Sequence, residues 1–472
     1  MGLATDASNL DPVQGNLGSD VQMLLPIFDT LIKLDANTGE PGPGLATKWD
    51  YSADGKTLTL TLRQGVKFQD GTPMDAESVR FSLERYRTDA KQPQLQSVDS
   101  IEVTGPDTVA LHLSKPDITV LGRLADRAGM VTSPTAVQKD AEAFGRAPVG
   151  AGPFKLVEWR TGDRIELERF ADYWDPSSIH VDKLELRVIT DRKAAVNALM
   201  SGDIDFADGL DPADYDRLQG DKDLVASAPV GSWLYQLTLD RSNKPLDDPR
   251  VRLAMAIAIN RDELVKAAAD GQGEPGYMSA NSSHWAYDPS MAEAFRYDPD
   301  RAKQLLAEAG YPDGFKVTVV MPTDTTEVRR NEVIRAQLAK VGIDYELHPM
   351  DRSQGVQAFF ERREFNIGQY SDPGSAEPAG SYVATWPTTS YSNVGKDAPP
   401  GLLEGLDKVL ATTDRDERIQ AYKDLNEVIK EQVPSIPLYF RANVTAYSTK
   451  VGNYQPWSIG VTRVAYMGFV AD

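Results

Sequence analysis

The 472-residue chain contains no cysteine, which excludes disulfides, thiolate metal sites and cysteine nucleophiles. It has four histidines, His112, His180, His284 and His348, scattered singly without the spacing that lets imidazoles share a metal. The longest apolar run, Leu253 to Ile259, falls far short of the ~20 residues that a membrane-spanning helix requires. Positive charge is in deficit: 50 Lys and Arg stand against 70 Asp and Glu, a formal net charge of −20, so the field repels phosphate backbones and no nucleic-acid role is expected. Nucleophile elbows and Ser-x-x-Lys are also absent. A literal G-x-G-x-x-G at Gly271, Gly273 and Gly276 follows a helical pattern and contains Pro275, where a dinucleotide site needs a strand before and a helix after. Asp54-Gly55-Lys56-Thr57 ends like a phosphate loop but lacks the glycine five positions before Gly55.

What is present fits a globular protein of more than one core. Apolar residues make up 41% and charged residues 25%, and the length suggests two to four compact units at roughly 100 to 200 residues each. The stretch Val149–Trp174 is the most structured in pattern. Alternating runs Phe154–Trp159 and Arg164–Phe170 flank Thr161-Gly162-Asp163, which predicts a β-hairpin with one buried face. The Gly150-Ala151-Gly152-Pro153 lead-in cannot be helix interior and reads as a junction.

Taken in order, Leu3–Asn9 reads as a strand ended by Pro12, and a helix follows from Ser19. Lys56–Leu62 alternates Thr and Leu as a half-buried strand, Asp75 caps a helix with Ala76, Val79, Leu83 and Tyr86 on one face, and Ile101–Val103 pairs with Val109–Leu113. Gly122–Met130 and Pro134–Gly145 read as helix and loop. Lys183–Ile189 is a strand, Asp191 caps a helix through Met200, and Ser232–Leu239 is another strand, a succession that argues an α/β layer. The turn-rich Asn243–Asp248 reads as a crossing into a second lobe. Asp248-Pro249 and Asp298-Pro299 each start a helix there. Phe315–Met321, Ile343–Leu347, Phe365–Gln369 and Pro434–Phe440 are the strands of that lobe, with helices at Glu327–Lys340, Ser353–Arg362, Leu402–Leu410 and Asp416–Gln432 between them.

Pro148–Phe154, Glu158-Trp159, Gly162-Asp163 and Arg169–Trp174 reproduce in order and spacing a "PVGTGPF" turn, a strand ending near "EW", a "GD" turn and an "R-x-x-D-Y-W" end. With Leu10-Asp11-Pro12, Asp29-Thr30-Leu31, Pro41–Trp49, Leu62–Pro73 and Pro434–Tyr439, they make the chain resemble the family 5 extracellular solute-binding proteins from Gly2 to Val470. That is the peptide- and nickel-binding class that feeds ABC importers. The resemblance implies an α/β, two-lobe periplasmic-binding-protein-like fold of the cluster C type, with an inserted third subdomain and a hinge between lobes. The implied division is 1–44 as the first part of lobe I, 45–148 as the inserted subdomain, 149–242 as the second part of lobe I, 243–440 as lobe II, and 441–472 as a return to lobe I.

The function so implied is capture of a small solute, a short peptide or similar zwitterion, between two closing lobes and its delivery to a membrane permease. An opine, an oligosaccharide or a metal chelate is the alternative ligand. The rivals from other classes are a hydrolase acting on peptides or glycans and a peptide-holding chaperone or sensor. No catalytic residue, metal site or cofactor is expected, and the chain is expected to act as a monomer. Met1-Gly2-Leu3 runs straight into polar residues, so the resemblance implies a periplasmic or otherwise extracytoplasmic protein, free or lipid-anchored, whose export signal has been removed.

In dipeptide- and oligopeptide-binding relatives an aspartate after a second-lobe strand pairs with the peptide's amino terminus. The matching region here is Gly368–Pro378 and the residue is Asp372, although its spacing to Glu377-Pro378 departs from the family pattern by about two residues. Its alternative role is to cap the Pro373-Gly374 turn. Arg352 is the candidate for a ligand carboxylate, with a solvated surface arginine as the alternative. Trp233, Tyr235, Trp386, Tyr391 and Trp457 lie at strand ends or in loops and are candidate flat walls, or else packing residues. The stretch Ser371–Pro399 resembles the family least, which is where ligand selectivity would sit.

Overall fold

The Thr/Leu alternation is formed as read: in the computed structural model Thr57–Leu62 is a strand whose Leu58, Leu60 and Leu62 are buried. The structure describes every residue except 16–17, 37, 92–93, 457–461 and 471–472, and the side chain of Tyr370. The chain divides into two units, Met1–Ser227 with Asn443–Asp472, and Ala228–Ala442.

The first unit carries a seven-stranded mixed sheet in the order Leu224–Ser227, Val444–Ser448, Phe206–Leu210, Gly2–Leu3, Lys183–Val188, Arg164–Arg169, Phe154–Arg160. The Phe154–Arg160/Arg164–Arg169 hairpin therefore forms its edge. A separate four-stranded antiparallel sheet, Ala46–Tyr51, Thr57–Leu62, Thr108–Leu113 and Val98–Gly105, packs with the helix Ala76–Asp89 around its own apolar core. Asp75 caps that helix by accepting from the Ser78 N–H.

Several family-like motifs acquire structural reasons in this unit. Asp29 is buried and accepts hydrogen bonds from the Tyr173 hydroxyl (2.8 Å) and the Trp174 indole N–H (2.9 Å), with Lys33 Nζ at 3.4 Å. The "D-x-L" and "D-Y-W" motifs are thus two halves of one buried polar knot. Asp11 of Leu10-Asp11-Pro12 holds the Arg85 guanidinium, with Nη1 at 2.9 Å. Gly150 and Gly152 lie against the Ile27 backbone so closely that a Cβ would meet it at 2.4 and 2.5 Å, which is why only glycine fits there.

Three element boundaries are corrected. Leu3–Asn9 is a strand only at Gly2–Leu3, because Asp6 accepts from the Trp159 indole N–H and the Gly162 N–H, and Ser8 bonds to Asp20, instead of joining a ladder. The helix expected over Gly122–Met130 is confined to Thr119–Arg123, followed by a 3₁₀ turn at Arg127–Gly129. Ser353–Arg362 is likewise split, into the helix Arg352–Val356 and a π turn Gln357–Glu361.

The second unit is built on a six-stranded sheet in the order Gly273–Pro275, Ser435–Ala442, Val230–Leu239, Ile367–Asp372, Phe315–Pro322, Ile343–Met350. The last three strands are parallel to one another and the remaining pairings are antiparallel. Asp191 in the first unit and Asp248 and Asp298 in the second cap their helices through backbone N–H groups, and Pro249 and Pro299 occupy the first helical positions. Buried Val251, Met255, Ile257, Leu305, Ile334 and Leu338 pack with Leu237, Val317, Ile367 and Ile436 of the sheet. The first crossing between units falls at Ser227–Ala228 rather than at Asn243–Asp248, because Val230–Leu239 hydrogen-bonds on both sides to strands of the second unit. The glycine-rich loop contains the strand Gly273–Pro275, paired with Ser435–Ala442; a Cβ on Gly273 would meet Phe440 O at 2.5 Å, so its glycine serves strand packing.

Candidate solute-binding site

The strands Val230–Leu239 and Ile367–Asp372 run antiparallel with Leu234 opposite Asp372 and Gln236 opposite Tyr370, so alternate positions share a face. On that face Gln236, Thr238 and Asp372 line a recess together with Ser279, Ser381 and Tyr382, and Arg241, Thr385, Trp386, Ser392, Pro434 and Ser435 complete its wall. Its cavity volume is about 30 Å³, enough for about two water molecules. The lining is dominated by hydroxyls and amides, with the Tyr382 and Trp386 rings, stacked at 4.1 Å and 9°, as its flat wall.

Asp372 ends its strand. Oδ1 accepts the Gly374 N–H at 2.8 Å, closing the turn through Pro373, and Gly374 adopts a φ of +79°. A side chain at Gly374 would also meet Ser232 Cβ at 2.4 Å, so the turn requires glycine twice over. The carboxylate forms no ion pair among the described residues. Burial raises its pKa above the ordinary value, against the nearby Ser381 hydroxyl and the Gly374 N–H, which favour the charged form. A half-buried carboxylate that accepts the Gly374 N–H, lies near the Ser381 hydroxyl and has no ion pair among the described residues is an acceptor suited to a cationic ligand group.

The other candidates are distributed unequally. Trp386 is buried in the recess wall. Tyr235 lies on the opposite face of its strand, half-buried, its ring 5.0 Å from Tyr439 and under the Arg330 guanidinium at 4.1 Å. Trp233 is 39% exposed with Arg441 over its ring. Tyr391 is 51% exposed, packs on Phe360 and donates to Glu361. Arg352 is exposed at the start of its short helix and does not line the recess. Trp457 lies outside the described residues. Sequence reading did not reach Gln236, Thr238, Ser279, Ser381 or Tyr382. A local signal existed for the first two: Gln236 and Thr238 are polar residues alternating with the buried Leu237 and Leu239.

Below the recess, Glu377 is buried, hydrogen-bonded by the Tyr422 hydroxyl and 3.4 Å from Arg418. His284 fixes the same loop by donating Nε2–H to Ala376 O (3.2 Å), while its Nδ1 accepts the Ala286 N–H (3.1 Å). Burial pushes its pKa down to about 4, the Ala376 contact only partly opposing this. Between the unfolded value and about 4 the unfolded chain binds the extra proton, so stability present above pH 6.5 is lost as pH falls. The expected loss is about 3 kcal/mol between about pH 7.5 and 4. Urea unfolding at several pH values would show it, and His284→Gln would remove that component of the pH dependence.

Residues 40–393 match the model of the bacterial extracellular solute-binding proteins, family 5. Glutathione-binding protein GsiB of Salmonella paratyphi A is 30% identical over 96% of this chain and 90% of its own length. Among solved structures, the chain is similar to the periplasmic binding protein AgaA of A. tumefaciens R10 in complex with agropinic acid (26% identity, TM-score 0.82, 100% of this chain and 98% of that one). It is similar also to DppA of Helicobacter pylori in complex with the peptide STSA (26% identity, TM-score 0.81, 99% and 97%). The chain belongs to the family 5 extracellular solute-binding proteins, the binding components of ABC importers.

Proposed function

We propose that the chain binds a short peptide or similar zwitterion and holds its protonated amino group on Asp372. The observation that supports this is the Asp372 carboxylate, without a cationic partner among the described residues and set among hydroxyl and amide groups. The likenesses to a glutathione-binding protein and to a protein solved with a peptide point the same way. The likeness to a protein solved with agropinic acid favours a second reading, an opine. In both cases the chain acts as a monomeric, non-catalytic receptor outside the cytoplasm, free or lipid-anchored, that hands its ligand unchanged to a membrane permease.

The test is mass spectrometry of small molecules released when the purified protein is denatured, paired with a thermal-shift screen of peptides, glutathione, opines, sugars and nickel. A ligand at a hundred times its dissociation constant stabilises by about 2.7 kcal/mol, a readable shift. Release of a peptide or amino-bearing zwitterion with a matching shift is the expected result. A neutral sugar or a nickel complex as the sole ligand would overturn the Asp372 assignment, and a ligand converted to product at low protein concentration would overturn the receptor.

A further inference from the structure

Arg241 follows the recess strand, and its guanidinium is almost wholly committed. Nε and Nη2 grip both Asp397 oxygens (2.9 and 2.8 Å), Nη1 donates to Pro434 O (2.6 Å), and Nη2 also reaches Asn393 Oδ1 (3.4 Å). Asn393 is buried and donates Nδ2 to Trp386 O (2.9 Å) and Asp397 O (2.7 Å), closing the loop 386–397 on itself. Gly395 packs the same loop onto Asp240 and Ser242, where a Cβ would sit 3.1–3.2 Å from their side chains. The loop begins with Trp386, whose ring backs Tyr382 against the recess. A bidentate fork, one amide and one stack thus connect the end of the sheet strand to the flat wall beside Asp372.

We propose that Arg241 is a positioning residue that, through Asp397 and Asn393, sets the Tyr382–Trp386 wall so that the recess admits only a small polar group beside the ligand's ammonium. This rests on the reading of Asp372 as the ammonium site. The cavity has room for about two waters, so beside an ammonium on Asp372 it leaves space for about one hydroxyl, the tip of a seryl side chain. Gln236, Thr238 and Ser279 supply hydroxyl and amide partners for such a group, whereas a branched or aromatic side chain would have to displace a wall held by a charged clamp.

The probes are four dipeptides, Ser-Ala, Ala-Ala, Leu-Ala and Phe-Ala, titrated calorimetrically into the wild-type protein and into Arg241→Lys and Asn393→Ala. Wild-type protein is expected to prefer Ser-Ala over Leu-Ala and Phe-Ala by about tenfold or more. Arg241→Lys keeps the charge but loses the fork, and Asn393→Ala cuts the link to Trp386. In both, the Ser-Ala to Leu-Ala ratio is expected to fall several-fold, a readout that a uniform loss of stability would not move. Equal affinity of wild-type protein for all four dipeptides overturns this inference and leaves the Asp372 reading standing. A wild-type preference that persists unchanged in both variants overturns the role of Arg241. Binding of none of the four removes the peptide reading itself, and this inference with it.

Discussion

Asp372→Asn is expected to weaken binding of an amino-bearing ligand by roughly thirty-fold to several thousand-fold, the range for removing one partner of a desolvated charge pair. Asparagine keeps the shape and the acceptor for the Gly374 N–H, so the turn survives and the loss reports the charge alone. The ligand-free variant is expected to be more stable than wild-type, because burial disfavours the native carboxylate's charge and no counter-charge stands beside it among the described residues. The pH dependence has a definite sign. With its folded pKa raised, Asp372 favours the ligand-free fold most below the unfolded carboxylate range and loses that contribution as pH rises through the folded value. Ligand affinity runs the other way and falls on acidification, since a protonated carboxyl cannot pair with an ammonium. Calorimetry at two pH values on both proteins checks all three statements; an unchanged affinity in Asp372→Asn removes the residue from the site.

The second large effect concerns the opposite face of the same strands. Arg330 is fully buried on the helix Thr325–Ala339 and pairs with buried Glu327. It donates Nε to Gln369 Oε1 (3.0 Å) and Nη1 to the Tyr439 hydroxyl (3.2 Å), and it lies over the Tyr235 ring. Gln369 in turn donates to the Tyr345 hydroxyl, which donates to Asn331. Arg330→Met would strand the Glu327 charge and two further polar groups, at a cost of about 3 to 5 kcal/mol. The double variant Glu327→Leu/Arg330→Met is expected to recover most of that loss, because replacing both ions is far cheaper than orphaning one. Equilibrium unfolding of the two variants decides it: a single variant costing under about 1 kcal/mol would mean that the pair contributes little.

That network also marks where sequence reading ends. The helix over Glu327–Lys340 was legible from Val333, Ile334, Leu338 and Val341, but Glu327, Arg330, Asn331 and Gln337 are buried too. Periodicity assigns such residues to solvent; it is partners 39 and 109 positions away for Arg330, and 74 and 77 away for Gln337, that make their burial tolerable. Strands and aspartate caps were legible because alternation and capping are local. The order of strands was not, since Ser435–Ala442 enters beside Val230–Leu239 from the far end of the chain. The family motifs were legible as residues while their reasons were not: the bond from Tyr173 to Asp29 spans 144 positions. In the candidate site, Asp372 and Trp386 could be singled out by type and place. Arg241 could not, because its role depends on Asp397 and Asn393, which the sequence places more than 150 positions later.

Val230, near the start of the second unit, is a ladder partner of Ala442 at its end. The recess, its charged clamp and the buried arginine network therefore all belong to one uninterrupted segment that enters and leaves through neighbouring strands. Such a segment is a natural cassette. Recombination could exchange it whole with two joins, carrying the recess and its clamp together while the remainder of the chain keeps its sequence.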